Sequence, residues 1–330
     1  MTTFRAHGGI PRILPVILLS AIPNSLAAVQ VPGFVTHVVD ADAHGTASLH
    51  VCDVDGDGDA DLVGAVAEEN AVAWWRNEGG SPLTWSRLTL DHAFGRAISV
   101  YCQDMNADGN PDILGAAAFG NEVALWVNRG GSSPTWEKEI IRSDIEFPHE
   151  VYAHDLDQDG RQDILVASTY ENGLFWWRND PDASGGWVEQ AVDTAFYRAK
   201  SVRVADFDGD GDNDLAGAAL DGDEVAWWRN DGGVPLQWTK VSIDAELEGA
   251  HRVEPVDMDA DGDPDLLVAA YHASEVAWYE NPGGSSDGWQ KHLVAAGVTQ
   301  ACIASAADFD GDGRLEVAAS AQNGNRGDVW

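Results

Sequence analysis

Six acidic nonapeptides recur along the chain at one fixed interval, and this spacing constrains the fold more than any other feature. They begin at Asp53, Asp104, Asp155, Asp206, Asp257 and Asp308, each start 51 residues after the last. An interval held through every step without insertion or loss demands one supersecondary unit per repeat. The aromatic residues keep the same register. At offset 22 from the first Asp stand Trp75, Trp126, Trp177, Trp228, Tyr279 and Trp330, and at offset 32 Trp85, Trp136, Trp187, Trp238 and Trp289. Offset 24 is Asn77, Asn128, Asn179, Asn230 and Asn281. Between these markers lie short aromatic and β-branched runs bounded by Gly, Pro and Asn, which is strand patterning. In the first repeat four strands are expected, near 49–53, 62–67, 72–77 and 85–91. Four-stranded units at this period predict the blades of an all-β propeller.

The ends suggest how the ring closes. Trp330 stands at offset 22 of the sixth repeat, so that repeat lacks its fourth strand. Residues 34–40 (FVTHVVD) read as an unattached fourth strand, Phe34 lying 51 residues before Trp85. A six-bladed β-propeller of four-stranded blades is therefore expected, with the N-terminal strand completing the last blade. Seven blades are the alternative if the chain belongs to a longer propeller. An open solenoid would leave raw edges at both ends.

Charge narrows the function. The 330 residues carry 55 acidic and 19 basic side chains, a formal charge of −36. Nucleic-acid binding rests on Lys and Arg neutralising phosphates, and docking on anionic lipid needs the same sign; both are excluded as general roles. Hydrophobic content of 44%, with 14 Trp, supplies a core, so the acidity does not belong to a disordered tail.

At the N-terminus, Arg5 and Arg12 precede the apolar run 13–22 (ILPVILLSAI), and Pro23 precedes the small-residue pattern Ser25-Leu26-Ala27-Ala28. This is signal-peptide organisation, and the run is too short to span a bilayer, which takes about 20 residues. Residues 1–28 are read as the leader and 29–330 as one propeller domain, secreted to an extracellular or periplasmic location. Only Cys52, Cys102 and Cys302 are present. Such a compartment permits one bridge, Cys52 to Cys102, although core packing is the expected role.

The nonapeptides have the chemistry of hard-cation loops, in which closely spaced oxygens surround calcium. The candidate ligands are Asp53, Asp55, Asp57, Asp59 and Asp61 in the first loop, and Asp104, Asn106, Asp108, Asn110 and Asp112 in the second. The third offers Asp155, Asp157, Asp159, Arg161 and Asp163, and the fourth Asp206, Asp208, Asp210, Asp212 and Asp214. The fifth offers Asp257, Asp259, Asp261, Asp263 and Asp265, and the sixth Asp308, Asp310, Asp312, Arg314 and Glu316. Loop position 7 tolerates Arg161 and Arg314, so its backbone carbonyl, not its side chain, is the expected ligand. Position 6 is always Gly, suited to a sharp bend. The loops hold 26 of the 55 acidic residues. Up to six structural calcium ions would relieve that repulsion.

With these loops, each followed by an apolar strand, and with strands of the type Val-Ala-Trp-Trp-Arg-Asn, the chain resembles the FG-GAP/VCBS repeat family. These are calcium-loop β-propellers related to the N-terminal heads of integrin α subunits. The resemblance covers about residues 34–330. It implies calcium in the hairpin between the first two strands of each blade, and functions ranging over adhesion, glycan binding and attachment to polysaccharide-active enzymes. Members are commonly seven-bladed, against six loops here. Fold alone does not choose among these functions.

If the calcium loops join strands one and two, the opposite face carries the loops between strands two and three and the inter-blade connections. Just before each first strand this acidic chain places Arg96, His149, Arg198, Lys200, His251 and Arg252, with Glu150 and Glu254; the facing loops supply Glu68, Phe119, Tyr170, Asp221 and His272. Two readings stand: a polar mouth binding an anionic or hydroxyl-rich ligand, with Tyr170 or Phe119 as stacking faces, or salt bridges stitching blades together. The tandem tryptophans, such as Trp74-Trp75, point to opposite faces of a strand and are expected in the core. No GxSxG, HExxH or GxGxxG motif is present. The expected function is a monomeric binding or adhesion module for extracellular glycan or a surface protein. A polysaccharide lyase or hydrolase at the channel mouth and a purely structural surface protein are the alternatives.

Overall fold

A computed structural model describes residues 37–284 and 288–322 and the backbone of Gly327–Val329. The leader, 1–28, and residues 34–36 of the expected closing strand lie outside the described residues. The first repeat forms β1 (Thr46–Cys52), β2 (Asp61–Val66), β3 (Ala71–Asn77) and β4 (Trp85–Asp91), an antiparallel meander in that order. The boundaries fall within a few residues of those read from the sequence. Four further sheets repeat this order, and a sixth has three described strands, Ala301–Ala307, Glu316–Ala321 and Gly327–Val329. The one helical element among the described residues is a single 3-10 turn, Ala67–Glu69.

The apolar run after each acidic loop explains why the sheets stack. β2 is buried at every residue, and so are its counterparts Asp112–Ala117, Asp163–Ser168, Asp214–Ala219 and Asp265–Ala270. A strand buried on both faces needs a layer on each side. Accordingly, each main apolar cluster joins two consecutive sheets: Trp74 of the first packs with Ile113 and Trp126 of the second and with Phe94 of the connection between them. The tandem tryptophans divide as their alternation requires. Trp177 faces the second sheet and Trp176 the fourth. The outer strand Trp136–Arg142 (WEKEIIR) is largely exposed and charged, which blunts an edge against unwanted pairing.

Ionic latches also join the sheets. Offset 38 of one repeat meets offset 34 of the next in Asp91–Lys138 (2.8 Å), Asp193–Lys240 (3.6 Å) and Asp244–Lys291 (3.7 Å). Between the second and third sheets the signs are exchanged, as Arg142–Glu189 (3.0 Å). Asp40 makes the same contact with Arg87 (3.5 Å). It also accepts a hydrogen bond from Trp75 Nε1 (2.9 Å), as Asp193 does from Trp228 Nε1 (3.2 Å) and Asp244 from the Tyr279 hydroxyl (2.6 Å). Asp40 thus stands against the first sheet as Asp193 and Asp244, at the ends of fourth strands, stand against the next sheet, although residues 37–40 are not paired as a strand. Val39 and Ala43 cover the same face, packing against a cluster that includes Leu62, Val66 and Trp75.

The first strands lie innermost, where successive sheets touch. Cys52 and Cys102 form a disulfide there, Cα atoms 6.5 Å apart, and both also pack in the apolar core between the first two sheets, as expected. Their side chains meet because β1 and the first strand of the second sheet lie side by side. Cys302 is free.

Candidate functional site

The acidic loops occupy the turns between first and second strands. Their position-6 glycines all have positive φ, from 90° at Gly109, Gly160 and Gly313 to 102° at Gly262. A Cβ at any of the six would meet nothing within 4 Å, so it is conformation and not space that selects glycine. The position-1 carboxylate ties the turn: Asp53 Oδ1 accepts from Asp57 N (3.1 Å) and Oδ2 from Gly58 N (2.9 Å). Asp104 and Asp155 repeat the pattern.

Position 9 is more deeply committed to the fold than expected for a ligand alone. Asp163 is fully buried, accepting from Leu156 N (3.2 Å) and Asn179 N (2.7 Å). Asp61, Asp112, Asp214 and Asp265 are held in the same way. Burial pushes Asp163 and Asp214 up to about 7, and Asp112 and Asp265 up to about 6, against the lowering effect of these amide bonds. Arg161, at position 7, directs its Nε to the Asn179 carbonyl (2.9 Å) and pairs with Asp159, so its side chain is engaged elsewhere.

Three carboxylate oxygens come within 4.8 Å of one another in each of five loops. They belong to Asp53/Asp55/Asp57, Asp155/Asp157/Asp159, Asp206/Asp208/Asp210, Asp257/Asp259/Asp265 and Asp308/Asp310/Glu316. The second loop, with Asn106 at position 3, has no such trio among the described residues. One oxygen each of Asp55, Asp157 and Asp257 is buried without a hydrogen-bond partner. A buried, unpaired carboxylate oxygen is costly, and an oxygen-seeking divalent cation is the partner its surroundings fit. These clusters could hold such an ion. Asn128 links loops of adjacent repeats, its Nδ2 donating to Val54 O (2.9 Å) and to Pro111 O (3.1 Å).

The other end of the molecule separates the remaining candidates. His149, Glu150, Lys200, His251 and Arg252 lie within first strands (Pro148–His154, Ala199–Ala205 and Ala250–Val256), not in the connections before them. These strands begin at Pro148, Ala199 and Ala250, a few residues before their first aliphatic runs. Glu150 anchors a buried network, with Arg203 Nη1 at 2.9 Å and Arg252 Nη1 at 2.5 Å. Burial would raise the Glu150 carboxyl, but the two guanidiniums hold it down at about 2. Here salt bridges do stitch blades together. Arg203 was missed by sequence reasoning, since nothing in its strand distinguishes it.

His149 Nδ1 approaches Lys200 O (2.9 Å) and His251 Nδ1 approaches Cys302 O (3.0 Å); the two rings meet edge to face at 5.5 Å. Burial, then the Lys200 charge, pushes His251 down to about 4, and the same causes keep His149 well below its ordinary value. Lys200 falls to about 8 through burial and the neighbouring Arg198. Arg96, Tyr170, Arg198 and His272 lie further out. Arg96 sits over Phe119 (4.9 Å) and Arg198 over Tyr170 (5.3 Å), while Arg198 also pairs with Asp221 (3.2 Å). Tyr271 and His272 meet edge to face at 5.2 Å, with Tyr271 stacked 5.8 Å from His251. Phe147 joins the outer group, 4.8 Å from Tyr170 and 5.8 Å from Phe119. It too was missed, although its offset, shared with Arg96 and Arg198, was available as a signal.

Stacked four-stranded sheets with acidic inter-strand loops define a β-propeller-like repeat protein. The FG-GAP-like repeat description matches residues 53–115, 104–166, 155–217, 206–268 and 257–319, and the chain belongs to this family. No curated protein matches the sequence. Among solved structures, virginiamycin B lyase from Staphylococcus aureus is similar with a TM-score of 0.58 at 9% identity, covering 88% of this chain and 85% of that one. The V. cholerae biofilm matrix protein Bap1 has a TM-score of 0.48 at 17% identity, covering 80% of this chain and 41% of that one. Among the described residues no helix is long and apolar enough to cross a membrane.

Proposed function

We propose that the protein is an exported, calcium-stabilised six-bladed propeller, residues 29–330 after removal of a 1–28 leader, acting as a monomeric binding or adhesion module for extracellular glycan. The family and the sheet stacking support the architecture. Closure by the N-terminal segment is supported by Asp40, which makes against the first sheet the contacts that Asp193 and Asp244 at fourth-strand ends make against the next. Calcium in the acidic loops is supported by the carboxylate trios and their unpaired buried oxygens. The binding role rests on one observation. Outside the repeat-wide structural positions, the exposed aromatics Phe119 and Tyr170 gather on one face with Arg96, Phe147 and Arg198.

The test is a screen of mature protein, in calcium, against soluble and immobilised polysaccharides, recording retention and any new reducing or unsaturated ends. Retention without products is the expected result. Products would establish a lyase or hydrolase instead, and absence of retention on every glycan would leave a structural or protein-binding role.

A further inference from the structure

We propose that a recess of about 430 Å³, lined by Ala118, Phe119, Asn121, Glu146, Phe147 and Tyr170, seats one anionic pyranose of an acidic polysaccharide. This rests on the glycan-binding reading and assigns its locus. The argument begins with backbone conformation at offset 43, just before each first strand. Arg96, Phe147, Arg198, Gly249 and Gln300 all have positive φ there, between 52° and 70°, and Gly45 holds the same place ahead of the first repeat, at 68°. Glycine adopts this geometry freely, whereas bulky L-residues are strained in it. Gly45 and Gly249 follow that preference. Three consecutive sheets, the second to the fourth, instead carry Arg, Phe and Arg, and the sixth carries Gln. Strain of this kind persists where the side chain has work to perform.

Those side chains do not enter the inter-sheet core. They turn towards the loop residues at offset 15, Phe119 and Tyr170, which remain 69% and 51% exposed. Exposed rings gathered on one face mark an interaction surface, and flat aromatic faces match the apolar C–H faces of a sugar ring. Asn121 and Glu146 in the lining suit hydroxyl groups. Charge then selects the sugar. Arg96, Arg198 and Lys200 lie over Phe119, Tyr170 and Phe147 at 4.9, 5.3 and 5.8 Å. Of the three, Arg198 pairs with Asp221, while Arg96 and Lys200 have no carboxylate within 4 Å among the described residues. In a chain of formal charge −36, exposed Arg96 over the Phe119 ring and buried Lys200 beside the Phe147 ring, neither of them ion-paired among the described residues, offset the Glu146 carboxylate of the lining and favour an anionic guest.

The test titrates calcium-loaded mature protein calorimetrically with trisaccharides of galacturonate, of mannuronate and of hyaluronan-type glucuronate, and with their methyl esters. At least one acid should bind, with its ester at least tenfold weaker. Arg96→Gly and Phe147→Gly should each weaken binding tenfold or more, yet melt no lower than the parent, because glycine relieves the left-handed corner. Unchanged affinity in both variants overturns the pocket but leaves the glycan function. Equal binding of acid and ester, or no binding of any acid, overturns the anionic pyranose. Lowered melting of both variants would make the corner side chains structural and overturn the assignment. Retention of no polysaccharide in the wider screen would remove the glycan reading as well.

Discussion

Asp163 shows how one residue can serve two demands at once. Its carboxylate holds two buried backbone amides, Leu156 N and Asn179 N, and so fixes the loop to its own third strand. Replacing it by Ala strands both donors, and an unsatisfied buried donor costs about 1–3 kcal/mol. Asp163→Ala should therefore lower the unfolding free energy by about 2–4 kcal/mol in denaturant titration, with Asp163→Asn losing less. The same burial makes the loop sensitive to pH. Protons and a cation compete for carboxylates raised to about 6 to 7. Calcium affinity should fall between pH 7.5 and pH 5.5, with protons released on binding, both readable by calorimetry.

At the level of strands and sheets, the latch between offsets 38 and 34 carries an internal control, because one interface has its charges exchanged. Arg142 meets Glu171 (2.9 Å) and Glu189 (3.0 Å), whereas the neighbouring latches put Asp at offset 38. Arg142→Asp alone would face Glu171, Glu189 and the exposed Asp144, which Arg142 also pairs with (2.8 Å), and should destabilise by about 1–3 kcal/mol, since half-buried like charges repel with little screening. Adding Glu189→Lys restores the pattern of the other interfaces, including a Glu at offset 16 as in the Arg87–Glu69 pair (2.6 Å). The double variant should recover most of the loss in a double-mutant cycle. Additive losses would show that the latch has no energetic role. The disulfide acts across the neighbouring interface. Closing a 50-residue separation, it should contribute about 2–4 kcal/mol, lost when Cys52→Ser and Cys102→Ser are combined.

Over the whole molecule, the innermost strands concentrate buried ionisable groups from distant repeats. His50 and His251 both fall to about 4, through burial first, then Arg203 and Arg252 for His50 and chiefly Lys200 for His251. An unfolded histidine titrates near 6.5. Between these values the unfolded chain binds more protons, so this contribution to stability is complete above about 6.5 and is lost as pH falls towards 4. Glu150, held at about 2, adds stability that is lost only below about 4.5. The raised loop carboxylates act with opposite sign in metal-free protein, which takes up protons first when folded. Melting followed in calcium from pH 7.5 to 4.5 should therefore decline, and His50→Gln with His251→Gln should flatten that decline. An unchanged slope would exclude the histidines.

Repetition made much of this protein readable. The interval, the aromatic offsets and the Gly at loop position 6 depend on local geometry and strand alternation, so four-stranded units and hairpin loops follow from residues alone. The position-9 carboxylates were legible as ligand candidates, but their amide bonds depend on the third strand of the same sheet. Other features belong to contacts between residues of different repeats, well beyond the range of strand alternation, where no local pattern signals them. Arg203 reaches Glu150, Asp40 reaches Trp75 and Arg87, Cys52 meets Cys102, and Phe147 comes between Phe119 and Tyr170 only once the sheets stack around shared innermost strands. The sequence alone determined the repeating unit, because that unit is built from near neighbours. Only the tertiary structure decided which variable residues share a face, because stacking sets their order in space.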